Sequence, residues 1–132
     1  MKGKILVVED DEDLQNMYAE ILESNDYQIE TASDGEEGVE KFKKFDPKLV
    51  IMDSDMPKLD GYNATLKIKE IDSNATIVLI TGYPKVAEGI KEEKRKEFVS
   101  IITKPIGMEL LLDIAKKYCE EDKKILKYVF NK

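Results

Sequence analysis

The chain has 132 residues, a length that fits one domain, and its 42% hydrophobic content is enough for a single buried core rather than a disordered segment. Charged residues reach 37% and the formal net charge is −7, which argues against a nonspecific nucleic-acid or anionic-membrane binder, because such partners are held by Lys and Arg and Arg95 is the lone arginine. With no histidine and a single cysteine, Cys119, the chain has no Ser-His-Asp hydrolase site, no Cys-His protease site, no Cys/His zinc site and no internal disulfide. A lone thiol suits a reducing compartment. No apolar run approaches the ~20 residues of a membrane span. The acidic run Glu9 to Asp13 follows a four-residue apolar run directly, unlike a signal peptide. The expectation is a cytoplasmic acidic domain whose chemistry comes from carboxylates, Lys, Thr and a hard metal ion.

In chain order, Ile5-Leu6-Val7-Val8 is a continuous apolar run, as expected of a strand covered on both faces. Leu14, Met17, Tyr18, Ile21 and Leu22 then follow the spacing of one buried helix face, with Asp11 or Asp13 as the cap. Tyr27-Gln28-Ile29-Glu30-Thr31 alternates, as a half-exposed edge strand does. Val39, Phe42 and Phe45 mark a second helix, stopped by Asp46-Pro47. Leu49-Val50-Ile51-Met52 is the third strand, residues from about Tyr62 to Ile71 a third helix, and Ile77-Val78-Leu79-Ile80 the fourth strand. Lys85 to Lys96 reads as a weak helix anchored by Val86 and Ile90, with Gly89 reducing its propensity. Phe98 to Ile102 is a fifth strand, and a last helix starts near Met108 and runs beyond Tyr118.

Five strand–helix units in alternation imply an α/β domain: a doubly wound five-stranded parallel sheet with helices on both faces. The common five-stranded order is 2-1-3-4-5, with ligands at the carboxyl ends of the strands. In that order Glu9-Asp10-Asp11, Asp53-Ser54-Asp55, Thr81-Gly82 and Lys104-Pro105 each follow their own strand, and Glu9, Asp10, Asp53, Thr81 and Lys104 converge on one crevice. Two carboxylates about 4 Å apart repel by roughly 4 kcal/mol at an effective dielectric of 20. A divalent cation and the Lys104 ammonium would offset that repulsion, and carboxylates with a carbonyl and waters suit Mg²⁺. A Thr hydroxyl and a Lys are natural donors to phosphoryl oxygens, and a carboxylate is available as nucleophile. Taken singly, these residues have plain readings. Acids at Asp11 to Asp13 complement a helix N-terminus, an Asp after a strand is a turn residue, and Asp60-Gly61 is a turn and helix start. Their joint occurrence, in order and each after its own strand, carries the functional reading.

Over about residues 3 to 119 the chain resembles the receiver domain of two-component response regulators, chemotaxis receivers included. The matching motifs are Ile5 to Asp11, Leu49 to Gly61 with its Asp-x-x-Met-Pro-x-x-Asp-Gly form, Thr81-Gly82 and Lys104-Pro105. Chemotaxis receivers have the flavodoxin-like 2-1-3-4-5 order, so the topology comes with the resemblance as much as from the alternation. The resemblance implies that Asp53 is the phosphoacceptor and that Mg²⁺ is the cofactor. It makes Asp10 the main side-chain ligand, with Asp53 and the backbone carbonyl of Asp55 in the coordination sphere and Glu9 holding a metal-bound water or contacting the metal at longer range. Lys104 would pair with Asp53 and then with its phosphoryl group, and Thr81 would turn its hydroxyl to a phosphoryl oxygen. The donor would be a phosphohistidine on a sensor histidine kinase or phosphotransfer protein. The output would be a protein contact, with no enzymatic turnover beyond self-phosphorylation and self-dephosphorylation.

Two positions depart from the family. Glu9 stands where Asp is usual, and Ile101 stands three residues before Lys104, where the switch aromatic is usual; Tyr83 is a candidate to fill part of that volume. Asp55 and Tyr83 lie where the family tunes dephosphorylation. Residues 1–119 read as the receiver and 120–132 as an extension of the last helix or a tail. Ile125-Leu126 and Tyr128-Val129-Phe130 in that tail suit a homodimer or partner contact, a fold-back onto the domain or the start of a linker. Two alternatives remain at this point. One is a Mg²⁺-dependent phosphatase or phosphotransferase built on Asp53-Ser54-Asp55, although Pro57 stands where haloacid-dehalogenase-like enzymes carry Thr. The other is a pseudo-receiver that binds partners without phosphorylation.

Overall fold

The computed structural model describes residues 2–56, 58–82 and 92–120. In chain order these form β1 (Gly3–Val8), α1 (Glu12–Glu23), β2 (Tyr27–Ala32), α2 (Gly35–Phe45), β3 (Leu49–Asp53), α3 (Gly61–Ile71) and β4 (Ile77–Thr81). There follow a one-turn helix α4 (Glu92–Arg95), β5 (Ser100–Thr103) and α5 (Met108–Ala115), which runs into a π-helical turn, Lys116–Glu120. All strand pairs are parallel, in the order β2-β1-β3-β4-β5.

The apolar runs are buried because each strand side chain has a helix layer to meet. Side chains alternate between faces along a strand. Ile5, Val7, Leu49, Ile51, Val78 and Ile80 therefore pack with Tyr18 and Leu22 of α1 and Leu111, Ile114 and Ala115 of α5. Their neighbours Leu6, Val8, Val50, Met52, Ile77 and Leu79 pack on the other face, with Val39 and Phe42 of α2 and Ala64 and Ile68 of α3. The edge strands lack this double cover. Most of β2 and all of β5 are only partly buried or exposed.

Parallel strands place the helix N-termini at the carboxyl edge of the sheet, and aspartates cap three of them. Asp11 accepts from the Leu14 N–H at 3.2 Å, Asp34 from Glu37 at 2.8 Å and Asp60 from Asn63 at 2.8 Å. Asp46 closes α2 in the left-handed region at φ 51°, immediately before Pro47. Gly61 opens α3 so close to β3 that a Cβ there would sit 2.2 Å from the Asp53 carbonyl oxygen, a spacing only glycine allows.

Several boundaries and faces differ from the sequence reading. The fifth strand begins at Ser100 rather than Phe98, and Phe98 instead joins the α2–α3 side of the core. Met17 is 41% exposed, whereas Gln15 is buried. At about 100° per residue, Gln15 lies roughly 60° from Tyr18 on the side of Leu22, while Met17 lies roughly 100° away on the other side. The buried stripe is thus centred on Gln15, Tyr18 and Leu22, and Leu14 and Ile21 flank it, partly buried. Of the expected helix Lys85 to Lys96, only residues 92–96 fall within the described residues, and Glu92–Arg95 of these form one helical turn; Val86, Gly89, Ile90, Tyr83, Pro57 and the tail after Glu120 lie outside them.

Candidate functional site

The register of the sheet assembles the site. Val8 lies beside Met52, so the residues that follow them, Glu9 and Asp53, emerge side by side. Asp53 pairs with Ile80, and Thr81 pairs with Thr103, which brings Lys104 to the next position. The Lys104 N–H donates to the Thr81 carbonyl at 2.7 Å, and the Ser54 N–H to the Ile80 carbonyl at 2.9 Å, so the ladder reaches to the rim. The Lys104-Pro105 peptide is cis.

Glu9, Asp10 and Asp53 each offer a carboxylate oxygen, and these atoms all lie within 4.8 Å of one another. Glu9 and Asp53 are only 2% and 5% exposed, while Asp10 is exposed, so the cluster opens to solvent on the Asp10 side. Lys104 Nζ lies 2.8 Å from Glu9 Oε1 and 3.3 Å from Asp53 Oδ1. The other oxygen of Glu9 accepts from the Asp11 N–H at 3.2 Å. Thr81 is fully buried at the end of β4. Asp55 is exposed two residues beyond β3, outside the three-carboxylate group; the contribution expected of it was its backbone carbonyl.

Electrostatics follow from this crowding. Burial, then the hydrogen bond and charge of Glu9, then Asp10, push the Asp53 carboxyl up to about 7, against the opposing pull of Lys104. Burial works to lower the Lys104 pKa, but Glu9 and Asp53 outweigh it and the net direction is upward, so the ammonium stays charged. Tyr18, buried beneath the site, is raised chiefly by burial, with Glu9 and Asp53 adding to the shift and Lys104 opposing it. Three crowded carboxylates, one of them held against its ordinary ionisation, make a donor set of hard oxygens. That chemistry fits a divalent cation such as Mg²⁺.

The structure brings Glu9, Asp10, Asp53 and Lys104 together and puts Thr81 on the neighbouring strand end. Ile101, at the expected switch position, is half-buried against the α2–α3 side of the core. Beside that core, the Tyr62 and Phe98 rings lie 6.4 Å apart and the Lys94 ammonium sits 4.6 Å from the Tyr62 centroid. Sequence reasoning missed Gln15, which donates to the Glu9 carbonyl at 2.9 Å. The signal was present: a polar residue three and seven positions before Tyr18 and Leu22, on their face of the helix.

The response regulator receiver domain profile matches residues 5–116. The chain is 38% identical over 118 residues to the chemotaxis protein CheY of Halobacterium salinarum, covering 86% of this chain and 93% of that one. It is 29% identical over 118 residues to sporulation initiation phosphotransferase F of Bacillus subtilis, covering 89% and 94%. Among solved structures, the response regulator protein TrrA of Thermotoga maritima, in complex with Mg²⁺–BeF, aligns with a TM-score of 0.78 at 29% identity, covering 87% of this chain and 97% of that one.

Proposed function

The chain belongs to the response regulator receiver domain family, and on that premise we propose that Asp53 is its phosphoacceptor, served by Asp10, Glu9, Thr81 and Lys104. Receivers are signalling modules that work with histidine kinases or phosphotransfer proteins. The observation that carries the residue assignment is the position of Asp53: at the end of β3, nearly enclosed, 3.3 Å from an ammonium and within reach of two further carboxylates.

The reaction is written on this chain's own groups. A carboxylate oxygen of Asp53 attacks the phosphorus of a phosphohistidine on the donor protein. The new O–P bond forms as the N–P bond breaks, and the electron pair stays on the leaving imidazole nitrogen. Lys104 Nζ, already beside Asp53, stabilises charge on the transferring oxygens, and the Thr81 hydroxyl donates to one of them in the product. Glu9 holds Lys104 at this edge and shares the load of orienting it. Mg²⁺, held by Asp10, Asp53, the Asp55 carbonyl and, through water, Glu9, would neutralise the carboxylates and the incoming phosphoryl charge. The product is an acyl phosphate, which water hydrolyses, so the mark erases itself. The phosphoryl state then biases contacts with a downstream protein. The reading takes residues 1–119 as the receiver, 120–132 as a tail suited to a homodimer or partner contact, and the cytoplasm as the compartment. Family membership favours the receiver over the phosphatase, and the carboxylate–lysine cluster with Thr81 favours it over a receiver that is never phosphorylated.

Incubation with acetyl phosphate and Mg²⁺ followed by intact mass tests the assignment. One added phosphoryl group is expected, absent in Asp53→Asn and absent with chelator. A folded protein that takes up no phosphoryl group, or takes one up equally well as Asp53→Asn, overturns it.

A further inference from the structure

Gln15 is a polar side chain buried on the face of α1 that otherwise carries Tyr18 and Leu22 into the core. Its Nε2 lies 2.9 Å from the Glu9 carbonyl oxygen, 3.0 Å from the Ala32 carbonyl oxygen and 3.3 Å from Ser33 Oγ. Both carbonyls only accept, so the amide nitrogen must face them, and its two protons match the two of them. The Ala32 carbonyl also accepts from the Glu9 N–H at 3.0 Å. Glu9 is thus gripped on both sides, its N–H by Ala32 and its C=O by Gln15, and those two grips are bonded to each other.

The Glu9 carbonyl belongs to the peptide that leads into Asp10. β1 ends at Val8 and α1 begins at Glu12, and in the connection between them the Glu9 N–H still bonds to β2 and the Asp11 carbonyl accepts from the Gln15 N–H, while the Glu9 carbonyl is held by the Gln15 side chain. The orientation of the Glu9–Asp10 peptide therefore sets where both carboxylates leave the chain. We propose that Gln15 is a positioning residue for the cation site: its amide fixes that peptide plane so that Glu9 and Asp10 meet Asp53 within the span of one divalent ion. It touches neither ion nor phosphoryl group and acts through Glu9 and Asp10. The inference rests on the Mg²⁺ reading above. A merely structural Gln15 would satisfy two buried carbonyls and contribute to stability while leaving ion affinity alone.

Gln15→Met keeps the length and removes both donors. Calorimetric titration with Mg²⁺, with no phosphodonor present, is expected to show roughly tenfold weaker binding than wild type, the scale seen when a partner that orients a metal ligand is lost. Ile68→Val, a core truncation on the opposite face of the sheet, is expected to lower thermal stability and keep wild-type Mg²⁺ affinity. Gln15→Asn keeps the amide but draws it one methylene back from those carbonyls, and is likewise expected to weaken Mg²⁺ binding; this variant decides the matter where Gln15→Met fails to fold. Wild-type affinity in folded Gln15→Met, or in folded Gln15→Asn, overturns the positioning role and leaves the Mg²⁺ reading standing. A wild-type protein that binds no Mg²⁺ overturns that reading, and the positioning role with it.

Discussion

The two edges of one sheet handle charge in opposite ways. At the amino edge, Lys2 and Lys4 are exposed; Lys4 Nζ donates to the Phe45 carbonyl at 3.3 Å and lies 5.5 Å from the Phe45 ring, and Lys2 sits 5.6 Å over Tyr27. Those cations keep their water and rest on rings and a carbonyl. At the carboxyl edge, Glu9 and Asp53 have lost nearly all their water and share one ammonium. Burying an ionised carboxylate is costly, and one cation between two anions offsets only part of that cost. The contrast teaches that the amino edge is arranged for stability, whereas the carboxyl edge holds poised charge at the expense of stability.

The largest expected effect lies in the core between the edges. Leu22→Ala removes a fully buried side chain and should destabilise by about 2–5 kcal/mol in urea unfolding. Because Leu22 lies outside the cluster, Mg²⁺ affinity measured where the variant is folded should stay at the wild-type value; a change would break the separation of roles. Gly61→Ala comes next. Its methyl group would meet the Asp53 carbonyl, so a loss of about 1–3 kcal/mol is expected, together with slower phosphorylation by acetyl phosphate as Asp53 is displaced.

Asp53→Asn should act in the opposite direction. A free aspartate titrates near pH 4, but in the fold Asp53 holds its proton up to about 7. Between those limits the folded state binds more protons than the unfolded state, so this group's contribution makes stability fall as pH rises across the window. Asp53→Asn should therefore stabilise above pH 7, with the gain shrinking as pH falls and vanishing by about pH 4, as read from denaturant midpoints across pH. Saturating Mg²⁺ should likewise raise the wild-type Tm more at pH 8 than at pH 5; equal shifts would mean the edge is not poised by unpaired negative charge. The smallest effect belongs to the surface. Lys41 pairs with Glu30 and Glu37 at 3.0 Å and donates to the Thr31 carbonyl, all partly exposed, so Lys41→Met should cost no more than about 1 kcal/mol.

How much of this was legible in the sequence follows the same division. The double-faced strands were plain because Ile5 to Val8, Leu49 to Met52 and Ile77 to Ile80 are apolar without interruption, which only a sheet covered on both faces accommodates. Glu9, Asp10, Asp53 and Lys104 were legible because each follows its strand directly, and in parallel strands position after the strand fixes position in space. Met17 was misplaced and Gln15 missed because hydrophobicity alone defined the stripe, whereas the helix is rotated so that a side chain able to bond two carbonyls takes the inner place. The preference of Lys104 for Glu9 over Asp53 depends on half an ångström and on the extra methylene of Glu9, which spacing along a chain does not encode. Replacing Ile101 with Tyr, and comparing the NMR shifts on phosphorylation, would sharpen the remaining departure; an identical response would mean that position carries no switching role.

The three aspartate caps leave one more consequence. Asp11, Asp34 and Asp60 occupy first-turn amides at the edge that carries the proposed phosphoacceptor. Many nucleotide-binding folds greet phosphate with such amides, permanently aimed and impossible to remove. Here that welcome is already taken by the protein's own acids, so on the proposed reading the phosphoryl group would be kept by its covalent bond to Asp53, with Lys104 and Thr81 beside it. A mark kept in that way would be erased when water cuts one bond, without unfolding anything.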